Sequence, residues 1–199
     1  MMGRTGRPKN NGKKIVIAVI CIAVAVCVVF GALYITGNLE TKADYPLDYE
    51  DLIVKYANEY ELDPYFVAAV IKTESGFRPD AESSAGAIGL MQIMPETGQW
   101  AAEKIGMENF TNDMLLDPET NIRLGCWYLS FLKERFNGDL PIMMAAYNAG
   151  HNKVQQWLEN PEYSSDGKQL TNIPYEETDN YVKKVTKAYE KYKEYYEMG

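Results

Sequence analysis

Apolar residues from about position 48 onward recur at helical spacing rather than in the alternation of a strand. One run holds Leu52, Ile53, Tyr56, Ala57 and Tyr60, and the next holds Phe66, Val67, Val70 and Ile71. Spacings of three and four residues place such side chains on one face of an α-helix. The sequence shows neither an internal repeat nor a strand-period segment long enough to build a sheet. The pattern therefore predicts an all-α domain.

Start and stop signals agree with this helical pattern. Asp63-Pro64 and Asp117-Pro118 each place an N-cap acid before a proline at the first helical position. Gly76 and Gly138 fall where helices are expected to end. These signals predict a long central helix over residues 118–136.

A last helix is predicted over residues 177–196. It mixes apolar and tyrosine side chains with many lysines and glutamates: Tyr181, Val182, Val185, Tyr189, Tyr192 and Tyr196. We expect its lysine-rich end to face solvent.

The N-terminal region has a different pattern, an uncharged apolar run over residues 15–35 that reads IVIAVICIAVAVCVVFGALYI. About 20 such residues cross a bilayer as a helix. A cleaved secretion signal is the alternative, but its apolar core has only about 7 to 15 residues. The run therefore predicts a retained transmembrane helix.

Charges around this run predict its orientation. Five basic residues and no acidic residue precede it: Arg4, Arg7, Lys9, Lys13 and Lys14. By the positive-inside rule, residues 1–14 form a cytoplasmic basic tail. Residues 36–47 then form a short linker, and residues 48–199 form an extracytoplasmic domain. The prediction is a single-pass protein of the cell membrane.

The charge of the exported part narrows the range of its partners. Five of the 20 basic residues lie before Glu40, so the remainder carries 15 basic against 28 acidic residues, a net charge of −13. Nucleic acid is a poor partner for such a surface. Cys126 is the one cysteine after residue 39 and His151 is the one histidine, so no zinc-ligand pattern is present. We expect a domain without metal or other cofactor.

Glu74 is the first candidate for chemistry, because it ends the apolar helix FVAAVIKTE. Burial and the C-terminal end of a helix dipole both disfavour a carboxylate, so its pKa should be raised. A carboxylic acid that stays protonated near neutral pH suits the protonation of a glycosidic oxygen. Asp80 and Glu82 are the nearest other carboxyls, but they lie in a polar stretch that looks solvated. We therefore expect a mechanism with one carboxylate.

Four blocks of sequence surround this position in a specific order. They read ESGF with SSAGAIGLMQIMPET, then GCWYL, then AYNAG, then IPYEETDNYV. Together they resemble the lytic transglycosylases of the soluble-lysozyme-like (SLT, goose-lysozyme-like) family over roughly residues 50–190. The resemblance implies a lysozyme-like helical fold and an enzyme that acts on the glycan strands of peptidoglycan.

The resemblance also implies roles for individual residues. Glu74 matches the catalytic acid and base, Ser83 matches a serine that supports it, and Ser84 is the alternative if the register of the loop slips. The other implied substrate-binding residues are Met91, Gln92, Tyr147, Asn148, Glu177 and Tyr181.

Apolar walls are expected to exclude water around Glu74. Met91, Met94, Trp100 and Tyr147 are the candidates, although methionines and aromatic residues at helical spacing are more often part of a core.

The implied reaction is non-hydrolytic. Glu74 donates a proton to the oxygen between N-acetylmuramic acid and N-acetylglucosamine, and then removes a proton from the 6-hydroxyl, which closes a 1,6-anhydro ring. A muramidase that admits water and an inactive peptidoglycan-binding scaffold remain as alternatives. Proteins of the cell wall or of a secretion machinery are possible further partners.

Overall fold

The computed structural model describes residues 22–31 and 40–198. Residues 22–31 are helical. The predicted cytoplasmic tail, the rest of the predicted transmembrane helix and linker residues 36–39 lie outside the described residues. Within residues 22–31 and 40–198, none of the helices combines the length and hydrophobicity that crossing a bilayer requires.

The chain from Lys42 onward forms one compact unit. Its seven α-helices are α1 (Glu50–Glu59), α2 (Pro64–Glu74), α3 (Pro95–Lys104), α4 (Pro118–Arg135), α5 (Leu140–Ala149), α6 (His151–Glu159) and α7 (Glu176–Tyr195). Short 3-10 helices cover Lys42–Asp44 and Asn112–Leu116. The β pairing among the described residues consists of isolated bridges from Ile88 to Glu82 and Ile93. The prediction of an all-α domain is confirmed.

The predicted helix starts are confirmed by their capping hydrogen bonds. The Asp63 carboxylate accepts from the Tyr65 N–H, and the Asp117 carboxylate accepts from the Thr120 N–H. Asp139 caps α5 in the same way by accepting from the Ile142 N–H. Each cap satisfies a backbone donor that the first turn of a helix leaves without a partner.

Helix α2 has the most complete burial in the fold. Six consecutive residues, from Phe66 to Ile71, are buried, so every face of this helix is covered. It packs mainly against α7 and also against α1. Helix α2, which ends at Glu74, is therefore a central helix of the fold, a position that was predicted for α4.

The folded domain begins earlier than the predicted boundary at residue 48. Tyr45 is only 5% exposed and belongs to the core. The Tyr192 hydroxyl donates to the Pro46 carbonyl at 2.6 Å, and the Tyr196 hydroxyl donates to the Tyr45 carbonyl at 2.7 Å. Residues 42–47 are therefore packed against the end of α7 rather than forming a free linker.

Candidate active site

Glu74 lies where three parts of the domain meet. It is half-buried, and the Tyr181 hydroxyl on α7 donates to its Oε1 at 2.7 Å. Ser75 follows it at the end of α2 and is buried. The Ser75 hydroxyl donates to the Leu90 carbonyl at 2.8 Å, which joins the end of α2 to the loop formed by residues 82–94. The carboxyl thus has a fixed partner and some remaining access to solvent.

The environment of Glu74 raises the pKa of its carboxyl from 4.5 to about 7. Burial is the main cause, and the hydrogen bond from Tyr181 acts in the opposite direction. Burial, together with the nearby Glu74 carboxyl, holds the pKa of both Tyr147 and Tyr181 well above 10. Both phenols are therefore neutral hydrogen-bond donors near pH 7. Glu74 can exchange a proton at that pH.

The loop 82–94 is held by Asn121, a fully buried side chain on α4. Its Oδ1 accepts from the Met91 N–H at 2.8 Å. Its Nδ2 donates to the carbonyls of Ile88 at 2.9 Å and Leu115 at 2.8 Å. The bond to Met91 satisfies a buried loop N–H that would otherwise lack a partner, and the bonds to Ile88 and Leu115 tie the loop and the 3-10 helix Asn112–Leu116 to α4. Asn121 was not among the predicted site residues, and its only sequence signal is a polar residue beside Ile122 on the apolar stripe of α4.

Two glycines allow the loop 82–94 to pack closely against α4. Gly89 has a φ of 80°, and an added Cβ would lie 2.3 Å from both the Asn121 amide and the Leu115 carbonyl. At Gly125 on α4, an added Cβ would lie 2.2 Å from the Met91 sulfur. Larger residues at either position would therefore displace the loop or α4.

Met91 was predicted to line the substrate groove, but the structure places its side chain in the core. Its side chain is fully buried and packs against Gly125, so it is part of the core. Its backbone still contributes to the site, because the Met91 carbonyl accepts from the Tyr147 hydroxyl at 2.7 Å. Met94 is 37% exposed and remains available as a wall residue.

The side chains of Ser83 and Gln92 make their hydrogen bonds to backbone groups of residues 81–89. The Ser83 hydroxyl accepts from the Ala87 N–H at 2.9 Å. The Gln92 amide donates to the carbonyls of Ala81 at 2.9 Å and Gly89 at 3.0 Å. Gln92 has a φ of 47°, so these bonds hold a backbone conformation that a non-glycine residue rarely adopts. In this structure both side chains shape the loop.

The remaining predicted residues lie at the junction of α5 and α7. Asn148 is exposed, and its Oδ1 accepts from the buried Thr178 hydroxyl at 2.7 Å. Glu177 is exposed in the first turn of α7. Tyr181 was predicted as a substrate-binding residue, whereas the structure places its hydroxyl on Glu74. It therefore positions the carboxyl and tunes its pKa.

Among residues 22–31 and 40–198, no cluster of three or more His, Cys, Asp or Glu side chains lies close enough together to hold a metal ion. Asp80 and Glu82 are both exposed.

The sequence matches the family model described as "Transglycosylase SLT domain" over residues 51–170. The chain belongs to the SLT transglycosylase family. A solved structure with the same fold is an inactive glutamate-to-glutamine mutant of the lytic transglycosylase Slt from Pseudomonas aeruginosa. It is 32% identical with a TM-score of 0.66, and the match covers 77% of this chain and 26% of that chain. The prediction of a lysozyme-like helical fold of the SLT family is confirmed.

Two curated relatives of this SLT domain differ in how their names describe their location. The soluble lytic murein transglycosylase of Escherichia coli (strain K12) is 38% identical over 157 residues, which cover 78% of this chain and 24% of the relative. The membrane-bound lytic murein transglycosylase C of Actinobacillus pleuropneumoniae serotype 5b is 30% identical over 179 residues, which cover 79% of this chain and 48% of the relative. The match thus spans about a quarter of the first relative and about half of the second.

Proposed function

We propose that this SLT-family chain is a lytic transglycosylase that cleaves the bond between N-acetylmuramic acid and N-acetylglucosamine in peptidoglycan. The observation that carries the proposal is Glu74, a half-buried carboxyl with a pKa of about 7 and a neutral tyrosine donor at 2.7 Å. The names of the relatives, which are lytic murein transglycosylases, support the same substrate.

The first step is protonation of the leaving oxygen. Near pH 7 a substantial share of Glu74 carries its proton, because burial opposes ionisation. The proton passes to the glycosidic oxygen as the C–O bond breaks and positive charge develops at the anomeric carbon. The neighbouring 2-acetamido group stabilises that charge. Glu74 is left as a carboxylate that accepts a hydrogen bond from Tyr181.

The second step uses the same carboxyl as a base. Glu74 removes the proton of the 6-hydroxyl on the same sugar, and the oxygen attacks the anomeric carbon to close the 1,6-anhydro ring. Intramolecular attack needs no second substrate and gains from proximity. A single carboxyl suffices because the proton lost in the first step is recovered in the second. The solvent-exposed positions of Asp80 and Glu82 favour this scheme over one with two carboxylates.

Product chemistry tests this proposal. Purified peptidoglycan is digested with the full chain in detergent, and the fragments are analysed by mass spectrometry beside a Glu74→Gln control. We expect 1,6-anhydro-N-acetylmuramic ends, one water lighter than reducing ends, and none with the control. Reducing ends would instead identify a muramidase. No products from a folded protein that still binds peptidoglycan would identify a scaffold.

We further propose that residues 15–35 attach the enzyme to the cell membrane, with the N-terminus in the cytoplasm and the SLT domain outside. The described part of this run is helical and exposes large apolar side chains, for example Ile22 at 65% and Phe30 at 68%. Such surface is unfavourable in water and favourable in lipid. Alkaline carbonate washing of membranes should leave the protein in the pellet, and protease added to intact protoplasts should remove the domain. Release by carbonate, or protection from protease, would contradict this topology.

A further inference from the structure

Asn121 on α4 is a fully buried amide whose hydrogen bonds all go to backbone groups. Its three printed partners are the Met91 N–H and the carbonyls of Ile88 and Leu115. Burying an amide costs free energy unless its donors and its acceptor find partners. An apolar residue would avoid that cost if packing were the only demand at this position. The role of Asn121 therefore depends on what its bonds hold in place.

The bond to Met91 fixes a peptide group that also reaches the candidate active site. The Met91 N–H, which donates to Asn121, and the Leu90 carbonyl belong to one planar peptide group. Fixing the N–H therefore also fixes the direction of the carbonyl. That carbonyl accepts from the Ser75 hydroxyl at 2.8 Å. The next carbonyl along the chain, that of Met91, accepts from the Tyr147 hydroxyl at 2.7 Å.

Ser75 and Tyr147 are the two residues that this part of the loop holds, and both lie beside Glu74. Ser75 follows Glu74 directly at the end of α2 and is only 3% exposed. Tyr147 on α5 lies close enough to Glu74 for the carboxyl to raise its pKa. A shift of the loop 82–94 would release both residues and give water a path to the carboxyl.

Exclusion of water is what governs the acidity of Glu74. Burial is the main cause of its raised pKa, and the hydrogen bond from Tyr181 on α7 opposes it. Tyr181 and Tyr147 are the titratable groups that interact with the carboxyl, and both are neutral at pH 7. Lys72 on α2 and the exposed Glu82 on the loop are not among the causes of the shift. The pKa of Glu74 therefore follows how well water is kept away.

We propose that Asn121 is a positioning residue for the reaction at Glu74. By fixing the peptide group between Leu90 and Met91, it keeps the end of α2 and the Tyr147 ring against the loop and so keeps water from the carboxyl. Asn121 is fully buried, so it acts through these groups rather than on the substrate. The inference rests on the proposed function for the reaction, whereas the placement of Asn121 depends on the structure alone.

A titration of Glu74 without substrate tests this role directly. The full-length protein in detergent is labelled with 13C at its glutamate side-chain carboxyls, and the NMR signal of Glu74 is identified by its absence from Glu74→Gln. In the unmodified protein this carboxyl should titrate at about 7. In Asn121→Ala the pKa should fall by about one unit towards its ordinary value, because water reaches the carboxyl. An unchanged pKa would overturn the inference, whatever happens to activity.

A matched control removes core packing from the same helix. Leu132 is fully buried and lies about 16 Å further along α4. Leu132→Ala leaves a cavity and should lower the melting temperature without changing the pKa of Glu74. An equal fall of that pKa in Leu132→Ala would overturn the specific role of Asn121, because any loosening of α4 would then have the same result.

A second variant breaks the next bond of the same series and leaves Asn121 in place. Ser75→Ala removes one oxygen and with it the bond to the Leu90 carbonyl. We expect the pKa of Glu74 to fall by about half a unit, since Tyr147 is still held. If Asn121→Ala does not fold, Ser75→Ala decides by the same criterion, and an unchanged pKa overturns the inference.

Kinetics on peptidoglycan separate this inference from the proposed function. Asn121→Ala should lower kcat about tenfold and move the alkaline limb of kcat/KM to lower pH, with little change in KM. Cleavage by the unmodified enzyme together with an unchanged pKa in Asn121→Ala would overturn the inference and leave the proposed function. Absence of cleavage by the unmodified enzyme, with the pKa of Glu74 still lowered in Asn121→Ala, would overturn the proposed function and leave the positioning role.

Discussion

The two ends of helix α7 use tyrosine hydroxyls for different purposes. Near its N-terminal end, Tyr181 donates to the carboxyl of Glu74 at 2.7 Å. Near its C-terminal end, Tyr192 donates to the backbone carbonyl of Pro46 at 2.6 Å. Both tyrosines are buried and both bonds join α7 to a distant part of the chain. The difference lies in the acceptor.

That difference decides which physical quantity each bond controls. A carboxyl titrates, so the bond from Tyr181 changes the pKa of Glu74 and with it the supply of protons. A backbone carbonyl does not titrate, so the bond from Tyr192 contributes to stability alone. The N-terminal end of α7 is therefore expected to influence chemistry, and the C-terminal end is expected to fasten residues 42–47 to the domain.

The largest effect should come from Glu74 itself. Glu74→Gln is nearly isosteric and keeps an acceptor for Tyr181, but it removes the proton that both steps need. We expect kcat on peptidoglycan to fall by about three orders of magnitude, in the upper range for general acid–base catalysis. Glu82→Gln, at an exposed carboxyl that the mechanism does not use, is the matched control and should retain most of kcat. Comparable losses in both variants would contradict the single-carboxyl mechanism.

The raised pKa of Glu74 should also appear in the pH dependence of stability. Between pH 4.5 and about 7 the folded protein holds a proton that the unfolded chain has lost. The free energy of unfolding therefore falls as pH rises through this window, by about 1 to 2 kcal/mol after allowance for partial exposure. Urea denaturation at pH 5 and pH 8 should show this loss, and Glu74→Gln should lack it. Tyr192→Phe should keep the pH dependence, because Tyr192 does not titrate there. An identical slope for Glu74→Gln would mean that the carboxyl is not buried in solution.

Tyr181→Phe tests whether the N-terminal end of α7 controls the pKa of Glu74. The hydrogen bond from Tyr181 lowers the pKa of Glu74, so its loss should raise that pKa further. The alkaline limb of kcat/KM, expected near pH 7 for the unmodified enzyme, should move to higher pH. We also expect kcat near pH 6 to fall about tenfold, because the carboxyl loses a bond that orients it. A lower kcat with an unshifted limb would assign Tyr181 a purely structural role.

Local signals predicted the helices well. Helix α4 was expected over residues 118–136 and covers Pro118–Arg135, because its aspartate cap and first-turn proline act within a few residues. Helix α7 was expected over residues 177–196 and covers Glu176–Tyr195. Glu74 was found in the same way, since its place at the end of an apolar helix is a local property.

Long-range contacts account for what the sequence did not indicate. The bond from Tyr181 to Glu74 joins residues 107 positions apart, and the bond from Tyr192 to Pro46 joins residues 146 positions apart. Helical spacing placed both tyrosines on one face of α7 but did not identify their acceptors. Met91 was misplaced for a related reason, because core and groove positions share the same apolar pattern until the missing side chain of Gly125 is seen beside it.

The smallest effect should come from the C-terminal end of α7. Tyr192→Phe leaves the Pro46 carbonyl without its donor while the ring still packs, at a cost of about 1 kcal/mol. A domain of this size should then melt about 2 to 4 °C lower, as calorimetry can measure. The alkaline limb of kcat/KM and kcat itself should not change, in contrast to Tyr181→Phe. If Tyr192→Phe moved that limb, the fastening of residues 42–47 would be coupled to Glu74 through α7, and the two ends of the helix would no longer act separately.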